Sequence, residues 1–500
     1  MEQSLTPIHP SALLNAERLQ CLFAGSEFLT VRLVKDNNET IVGAVAYHNI
    51  LVDEKNVIQQ FIRKINEDLH QMTGHRDVNL ITSLDSLGGG KELRHMETAA
   101  DLILDAGAAV FIEGLSEAFG FMFPGYETRS IDEPKIEVNV RGPRESFIED
   151  LNTNLSMIIR KLKTPDLKAK PYIIGSQSRT RVMLLYLESR TDSQVVQEVQ
   201  RRLEAISLDI LIVNTQIEEL IQDSTYSPFP QLFNTERPDR VVTALNRGKI
   251  AILTDGTPIA LLTPTTFFEM LHPSEDLYER FYFANFLRII RVLTLFISLF
   301  GPALYIALTT FHLEMIPTPL MLAFISAKAG IPFPTFVEAI IMEVAFEVLR
   351  EASLRLPRAV GQSVSIVGAL IIGEAAVQSG IVSRPMVIVV AMTGIASFTI
   401  PSYSTAIAFR MLRFPMMLLA AWSGVLGLSL GLLILLSHLC SLHSCGIPFL
   451  EPVDLGRFKD TVKKYILLPV KFRRSANEPS GDAAAKRSMG GVLPEGRNDG

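Results

Sequence analysis

The sequence predicts a protein of two unlike parts: an α/β N-terminal region made of two small subdomains, followed by an all-α polytopic membrane domain. The first observation is length without charge, because residues 292–311 and 385–409 are runs of 20 and 25 residues without Asp, Glu, Lys or Arg. A helix of about 20 apolar residues spans the roughly 30 Å hydrocarbon core of a bilayer. The second is contrast: residues 1–287 are charged throughout, whereas residues 288–450 carry only 15 charged side chains.

The first subdomain is predicted to span residues 26–132, after a lead-in segment of residues 1–25. Apolar and β-branched runs predict two strands joined by the turn-forming residues Asp36-Asn-Asn38. Apolar residues at four-residue steps predict the helix that follows. In order, the elements are strands at 27–33 and 40–47, helices at 53–71 and 94–107, and strands at 108–115 and 119–131.

The second subdomain is predicted to span residues 133–262. Amphipathic periodicity predicts its helices, and short apolar runs bounded by polar residues predict its strands. The helices are expected at 147–163, 192–206, 216–223 and 237–247, and the strands at 180–189, 208–214 and 249–254. Because helices alternate with strands, both subdomains are assigned to an α/β class. A linker at 263–287 leads to the membrane domain.

The transmembrane domain is predicted at residues 288–440, with a basic and then disordered tail at 441–500. Four long helices are expected, because the runs 359–383 and 414–450 also meet the length requirement. The intervening segment 313–358 is broken by prolines, which interrupt helices by removing a donor and crowding the preceding turn. These prolines are Pro317, Pro319, Pro332 and Pro334.

The basic residues predict that both ends of the membrane domain are cytoplasmic, since Lys and Arg flank the cytoplasmic ends of spans. Three arginines precede the first span, and a basic run from Arg457 to Arg474 follows the last. Two cytoplasmic ends require an even number of crossings, four or six. Arg410 and Arg413 would then lie on the outer side, against the rule. Residues 1–15 show no secretory signal pattern, which also favours a cytoplasmic N-terminal region.

An acidic stripe lies in the proline-broken segment. Glu343, Glu347 and Glu351 follow one another at four-residue steps and therefore share one helix face. One interpretation is a surface helix whose carboxylates are in water. The other is a pore-lining, ion-contacting role, because charge inside a membrane is costly unless it meets water or a partner. The candidate ion-contact residues are Glu338, Glu343, Glu347, Glu351, Gln362 and Glu374.

Three glycines, Gly361, Gly368 and Gly373, are predicted to leave a thin helix face for close helix packing. No nucleophile elbow or HExxH metal motif is present, so the sequence predicts neither an enzyme nor a cofactor. His and Cys at 438–445 are explained by a membrane edge better than by a metal site. A net charge of −6 argues against nucleic-acid binding, which uses a basic face.

Many short motifs, in order along the chain, carry a resemblance to a known family. The chain resembles the A subunits of the GerA family of spore germinant receptors from about residue 28 to 450. In the N-terminal half the motifs are Arg129-Ser-Ile-Asp-Glu-Pro134, Val140-Arg-Gly-Pro-Arg-Glu145, Ser227-Pro-Phe-Pro230, Thr235-Glu-Arg-Pro-Asp239 and Ala251-Ile-Leu-Thr-Asp-Gly-Thr-Pro258. In the membrane block they include Pro332-Phe-Pro334, Met342-Glu343, Arg355-Leu-Pro357 and Gly361-Gln362.

The resemblance implies a multi-pass protein of the spore inner membrane with its N-terminal domain in the cytoplasm. It implies as partners a permease-like B subunit, a lipoprotein C subunit and further copies of the chain in a homo-oligomeric ring within membrane lipid. Such a ring is expected to be a nutrient-gated ion-release channel that triggers germination. A ring would multiply the acidic stripe into rings of carboxylates that attract cations.

Three other functions remain open. A secondary transporter would also use proline-broken helices and an intramembrane Glu374. A membrane-anchored scaffold would use the soluble half to recruit partners. The family paralogue associated with calcium-dipicolinate release is a close variant of the receptor subunit, and the sequence identifies neither the nutrient nor the size of the ring.

Overall fold

The structure is a computed structural model that describes residues 6–23, 26, 28–35, 40–53, 90–125, 134, 137, 139, 141–356, 368, 371, 373–451, 466–467 and 469. The described chain divides into two compact units. The α/β unit holds the residues before 223 together with 232–264, and the helical unit holds 223–231 and the residues from 265 onward. Each unit has its own core.

The first half of the α/β unit is a five-stranded antiparallel sheet with the strand order β1-β2-β4-β5-β3. Its strands are β1 Leu29–Lys35, β2 Ile41–His48, β3 Lys91–Leu93, β4 Gly107–Ile112 and β5 Ala118–Met122. Two helices, α1 Ala12–Leu22 and α2 Met96–Leu104, pack on the sheet. Alanines such as Ala44, Ala46 and Ala109 form the sheet side of this core, and their small side chains let the helices approach closely.

The second half is another five-stranded antiparallel sheet, with the order β6-β7-β9-β10-β8. Its strands are β6 Leu167–Ile174, β7 Thr180–Leu187, β8 Phe233–Thr235, β9 Ile250–Thr254 and β10 Ala260–Thr263. The helices are α3 Leu151–Lys161, α4 Ser193–Glu204, α5 Asn214–Ile221 and α6 Pro238–Asn246. The N-terminal region is therefore a mixture of helices and sheets, as predicted, and both sheets are antiparallel throughout.

The two sheets repeat one topology. Counted from its own first strand, each has the order first, second, fourth, fifth, third, with a helix before the first strand and another between the third and fourth. Both halves also contain a buried asparagine whose side chain bonds the backbone of an earlier residue. Asn15 exchanges two hydrogen bonds with the His9 backbone, at 2.9 and 2.6 Å. Asn154 does the same with Ile148, at 2.8 and 2.6 Å. The α/β unit is thus built from two copies of one fold.

One predicted element of the second half is wrong, and three observed strands, β6, β8 and β10, are not among the predicted elements. Residues 208–214 do not form a buried strand: they run as an extended loop that bonds the β6–β7 turn, and Ile212 is 67% exposed. Strand β6 was not predicted, because Lys168, Lys170 and Pro171 interrupt its apolar pattern. Pro171 is tolerated there because β6 is an edge strand. The predicted helix at 53–71 lies outside the described residues apart from Asp53.

The helical unit consists of six main helices in its described part, with a short helix, α7 Phe267–Met270, before them. They are α8 Phe281–Thr310, α9 Thr318–Lys328, α10 Thr335–Arg355, α11 Arg384–Ser397, α12 Tyr403–Ser423 and α13 Val425–Ser441. Helix α8 packs along α11 and α12, and α10 packs against the same three-helix group. A two-stranded ribbon of β11 His443–Ser444 and β12 Ile447–Pro448 follows α13.

Among the described helices, α8 and α12 are long and apolar enough to cross a membrane, while α9, α11 and α13 are apolar but shorter. The helix boundaries differ from the predicted spans. The run 385–409 is divided at Pro401, where α11 has ended and Ser402 caps the start of α12. The run 414–450 is divided at Gly424, whose φ of 62° is left-handed and ends α12. A hydropathy pattern does not show these helix breaks, because the residues on both sides of each break are mainly apolar.

Candidate functional site

Helix α10 carries four glutamates along a gradient of burial. It begins after Pro334, whose fixed φ suits a helix start, and ends at Arg355, two residues before Pro357. The side chains of Glu338 and Glu343 are fully buried. Glu347 is 29% exposed and Glu351 is 58% exposed. The stripe predicted as one acidic face therefore holds carboxylates in very different surroundings.

Glu343 is paired with an arginine inside the helical unit. Arg413 of α12 is 1% exposed and donates from Nη1 to Glu343 Oε2. The same guanidinium donates from Nε to the Ser298 carbonyl of α8, at 2.8 Å. A buried ion pair is stable only when such additional bonds satisfy the charges. The pair therefore joins helices α8, α10 and α12 at one point.

Glu347 lies one turn further along α10 and contacts two more arginines. Arg410 Nη1 donates to Glu347 Oε2 at 3.0 Å, and Arg350 Nη1 lies 3.6 Å from Oε1. Arg350 also donates to Ser397 Oγ at 2.9 Å and stacks 4.5 Å from the Phe398 ring centroid. We call Glu343, Glu347, Arg350, Arg410 and Arg413 the arginine–glutamate network.

The arginine–glutamate network is incompletely satisfied. It combines three guanidinium groups with two carboxylates, an excess of one positive charge. Among the described residues, four buried atoms of the network have no hydrogen-bond partner, although a buried polar atom without one is costly. They are Glu343 Oε1, Glu347 Oε1, Arg350 Nε and Arg410 Nε. A groove of about 300 Å³ lies beside the network, between Glu347, Arg350, Tyr403 and Arg410.

Glu338 belongs to a separate buried pocket. Its Oε2 accepts a hydrogen bond from the Ser383 backbone N–H at 2.8 Å, which ties α10 to the start of α11. The Tyr305 hydroxyl of α8 faces the Ser383 side chain and the Glu338 charge without completing a hydrogen bond. Lys328, at the end of α9, bonds Thr335 Oγ1 and acts on Glu338 at longer range. We call Tyr305, Lys328, Thr335, Glu338 and Ser383 the Glu338 pocket.

The other predicted ion-contact residues lie on the surface of the unit or outside the described residues. Glu351 pairs with Arg355 at 2.5 Å, one turn along the same helix. Glu374 is exposed and accepts a hydrogen bond from Gln378 at 3.0 Å. Gln362 lies outside the described residues. The six candidates therefore do not form one cluster.

The glycines predicted for helix packing behave differently from one another. A Cβ added at Gly368 would lie 2.8 Å from Leu349 Cδ2, so this position lies very close to α10. At Gly373 the nearest atom, Val387 Cγ1, would be at an ordinary 3.6 Å. Gly361 lies outside the described residues.

The spacing on the helix indicates the pairs of Glu347 with Arg350 and of Glu351 with Arg355, and both are present. The sequence does not reveal the partners of the glutamates on other helices. Arg410 and Arg413 were interpreted as residues flanking a span, where they contradicted the topology rule. The structure places them within α12, neutralised by α10, so they are not flanking charges. The usable signal was their position in an otherwise apolar helix, since such charges are found paired. Tyr305 and Ser383 gave no comparable signal.

Comparison with known proteins identifies the family of this chain. The sequence model of the family described as Bacillus/Clostridium GerA spore germination protein matches residues 17–478. The chain belongs to the GerA family. This confirms the family to which the motifs pointed.

Several characterised or named GerA-family proteins are similar over most of their length. Spore germination protein KA of Bacillus subtilis is 42% identical over 447 residues, 89% of this chain and 82% of that protein. Spore germination protein A1 of the same organism is 37% identical over 460 residues, 90% and 94% of the two chains. The uncharacterized membrane protein YfkQ of B. subtilis is 41% identical over 457 residues, 91% and 88% of the two chains.

One solved structure is also similar. It is the crystal structure of the N-terminal domain of the A subunit of the Bacillus megaterium spore germinant receptor GerK3. The sequences are 26% identical, the TM-score is 0.41, and the match covers 53% of this chain and 99% of that one.

The GerA motif Thr235-Glu-Arg-Pro-Asp239 forms a buried cluster in the α/β unit. Arg237 is fully buried and donates to Asp239 at 3.1 Å and to the carbonyls of Glu137 and Pro143 at 3.2 and 2.9 Å. Burial raises the pKa of the Glu137 carboxyl, and the guanidinium of Arg240, 3.1 Å away, opposes that rise. This motif holds the start of α6 in place.

The GerA motif Ser227-Pro-Phe-Pro230 belongs to the helical unit, although it lies between elements of the α/β unit in sequence. Ser227 Oγ lies 3.0 Å from His438 Nε2 of α13. The Phe229 ring packs edge-on against Phe409 of α12, with centroids 5.5 Å apart. His438 is thus engaged by a hydroxyl. Within the described residues no group of three or more His, Cys, Asp and Glu side chains is arranged to hold a metal ion.

Proposed function

We propose that this chain is the A subunit of a nutrient germinant receptor in the spore inner membrane. Membership of the GerA family and similarity to spore germination proteins along nearly the whole chain support the proposal. The helical unit would cross the membrane several times, with the α/β unit in the cytoplasm. A permease-like B subunit, a lipoprotein C subunit and further copies of the chain would complete the receptor.

Copies of the chain would form a ring that releases ions when nutrient binds. The observation that carries this part is the setting of two surface carboxylates, Glu351 and Glu374. Their neighbours Val348 and Ile371 are 62% and 58% exposed, so the carboxylates lie on an apolar surface. Lipid contact would cost several kcal/mol per charge, whereas a water-filled aperture between subunits would hydrate it. A ring of such carboxylates would select cations.

The buried glutamates have a different part in this proposal. Glu343 and Glu347 face Arg413 and Arg410 of the same chain, so in this conformation they support α10 and do not line an aperture. Because four atoms of the arginine–glutamate network lack partners, a shift of α10 along α12 could exchange its ion pairs. Such an exchange is a means of coupling nutrient binding to pore opening.

The test is neutralisation of the surface carboxylates. Spores carrying Glu374→Gln or Glu351→Gln should release potassium more slowly on nutrient addition, and the purified ring in liposomes should discriminate less between cations and anions. Glu219→Gln, an exposed glutamate on α5 of the α/β unit, is the matched control and should change neither. Unchanged release and selectivity in folded Glu374→Gln and Glu351→Gln protein would refute the pore role.

A secondary transporter is the second candidate, favoured by the groove beside Arg350 and Arg410 and by Pro302 and Pro415 inside α8 and α12. Saturable uptake of a substrate by purified protein, without ion conductance, would identify it. A chain that forms no higher oligomer and passes no ions would instead be a scaffold. A neighbouring permease-like gene would distinguish a receptor subunit from the paralogue associated with calcium-dipicolinate release.

A further inference from the structure

Three oxygen atoms in the Glu338 pocket are buried without a hydrogen bond. Glu338 is fully buried, Ser383 is 1% exposed and Tyr305 is 7% exposed. Among the described residues, Glu338 Oε1, Ser383 Oγ and Tyr305 Oη have no hydrogen-bond partner. Buried polar groups are nearly always bonded, and each exception calls for a physical explanation. The three atoms come from α8, from α10 and from the residue that precedes α11, and Tyr305 interacts with both Ser383 and Glu338.

The chemistry of the three atoms is that of a hard-cation site. A carboxylate oxygen and two hydroxyl oxygens are hard ligands, of the kind that alkali and alkaline-earth ions prefer. A hydroxyl can turn its proton away and offer a lone pair, so Ser383 and Tyr305 need no rearrangement to coordinate. A bound water would satisfy the hydroxyls, but the Glu338 carboxylate would then depend for its counter-ion on the Lys328 ammonium, which bonds Thr335 instead.

The charge balance favours a monovalent ion. One carboxylate neutralises one positive charge, and Lys328 already contributes a second positive charge nearby. Calcium takes six to eight oxygen ligands, commonly from several carboxylates, and magnesium demands an octahedral set. The pocket offers a single carboxylate. A divalent ion would therefore leave an uncompensated charge inside the unit.

Lys328 is placed to compete with such an ion. Its ammonium bonds Thr335 Oγ1, and not the Glu338 carboxylate. It lies in the last turn of α9, a helix with no buried residue in the described chain. The ammonium can therefore leave without breaking a packed core, and its charge acts on Glu338 whenever the pocket holds no other cation.

We propose that Tyr305, Glu338 and Ser383 coordinate one monovalent cation, potassium or sodium, in competition with the Lys328 ammonium. This deepens the proposed ion-release function, on which its physiological meaning rests, by assigning an intramolecular cation site distinct from the surface carboxylates Glu351 and Glu374. Binding would draw α8, α10 and α11 together and release the end of α9. The packing of these helices would thereby depend on the cation concentration around the protein.

The experiment is thermal unfolding of the purified full-length chain in detergent. Potassium or sodium chloride is titrated against N-methylglucamine chloride at constant ionic strength, so that screening is unchanged and only an ion small enough to enter differs. We expect one of the two ions to raise the Tm of the natural chain by about 2–4 °C, as a ligand of the native state does. Lys328→Met should lower the concentration at half-maximal shift roughly tenfold by removing a like charge.

Three variants should abolish the shift: Glu338→Gln, Ser383→Ala and Tyr305→Phe. Glu219→Gln, at an exposed glutamate of α5 in the α/β unit, should retain it. If Glu338→Gln does not fold, the two hydroxyl variants still decide the matter. The inference is overturned if the natural chain shows no ion-specific shift, or if Ser383→Ala and Tyr305→Phe both keep it.

The outcome is separable from that of the proposed function. If Glu374→Gln reduces potassium release in spores but the purified chain shows no cation-dependent Tm, the channel proposal stands and the Glu338 site fails. If the Tm shift is present and lost in the pocket variants while no carboxylate variant alters ion release, the site stands and the channel proposal fails.

Discussion

The buried cluster around Arg237 in the α/β unit and the arginine–glutamate network of the helical unit hold their charges in opposite ways. In the α/β unit the guanidinium of Arg237 reaches the Asp239 carboxylate and two backbone carbonyls. In the helical unit, Glu343 and Arg350 each keep a polar atom without a partner among the described residues. A completed network fixes one arrangement of the chain. An incomplete one leaves bonds that a ligand, another chain or a second conformation can form.

The comparison indicates where function resides. The family motif around Arg237 is explained by folding alone, since its groups bond to one another and to nearby backbone. The glutamates of α10 are not explained in this way. Residues whose bonding is left open by their own fold are therefore the better candidates for gating.

The largest effect is expected from removing one partner of the buried pair in the helical unit. Arg413→Ala should destabilise the chain by about 3–5 kcal/mol, because Glu343 would remain as a buried unpaired charge. The double variant Glu343→Gln/Arg413→Gln should recover much of that loss. Unfolding in detergent measures both. Equal instability of the single and double variants would contradict an electrostatic origin.

A smaller loss is expected in the completed cluster of the α/β unit. Arg237→Lys should cost about 2–3 kcal/mol, because a lysine ammonium cannot reproduce the fork that reaches Asp239 and two carbonyls. Protein abundance in spores should fall, but potassium release per molecule should not change. Arg181→Lys, at an exposed pair with Asp255, is the control and should be nearly neutral. Altered release per Arg237→Lys molecule would give this cluster a functional role.

The close helix contacts around α10 provide a test of packing. A Cβ at Gly394 of α11 would lie 2.5 Å from Phe346 Cζ of α10, so Gly394→Ala should cost about 1–3 kcal/mol. Gly373→Ala meets Val387 at 3.6 Å and should be neutral or slightly stabilising, since alanine favours helix. Comparison of their unfolding midpoints checks this. Equal midpoints would show that α10 and α11 separate easily.

The smallest effect concerns His48 in the α/β unit. Burial lowers the pKa of His48 to about 4, and its Nδ1 accepts from the Ile50 N–H at 3.3 Å. Because the folded pKa lies below the unfolded value near 6.5, stability is full above pH 6.5 and falls as the pH drops toward 4. The loss should be about 1 kcal/mol between pH 7 and 5.5. In His48→Gln this part of the pH dependence should disappear from denaturant unfolding curves.

Much of the fold was predictable because helices and strands leave local patterns of apolar and polar residues in the sequence. Helices such as α3 and α4 follow amphipathic periodicity, and β7 and β9 follow apolar runs with polar ends. Prediction failed where the hydropathy pattern of a segment did not match its burial in the structure. The apolar stretch around Ile210 and Ile212 is exposed, and the edge strand β6 carries two lysines and a proline. The shared topology of the two sheets lies in strand pairing, which leaves no local pattern.

The sequence by itself determined that apolar helices follow a charged α/β region, and that α10 carries carboxylates on one face. These are properties of single elements, set by spacings of two to four residues. Only the tertiary structure decided that Glu343 pairs with Arg413, 70 residues away, and that Tyr305 and Ser383 face Glu338. Such contacts depend on the angles at which helices cross. These angles are set by the packing of whole helix faces, and not by the residues next to any one position in the chain.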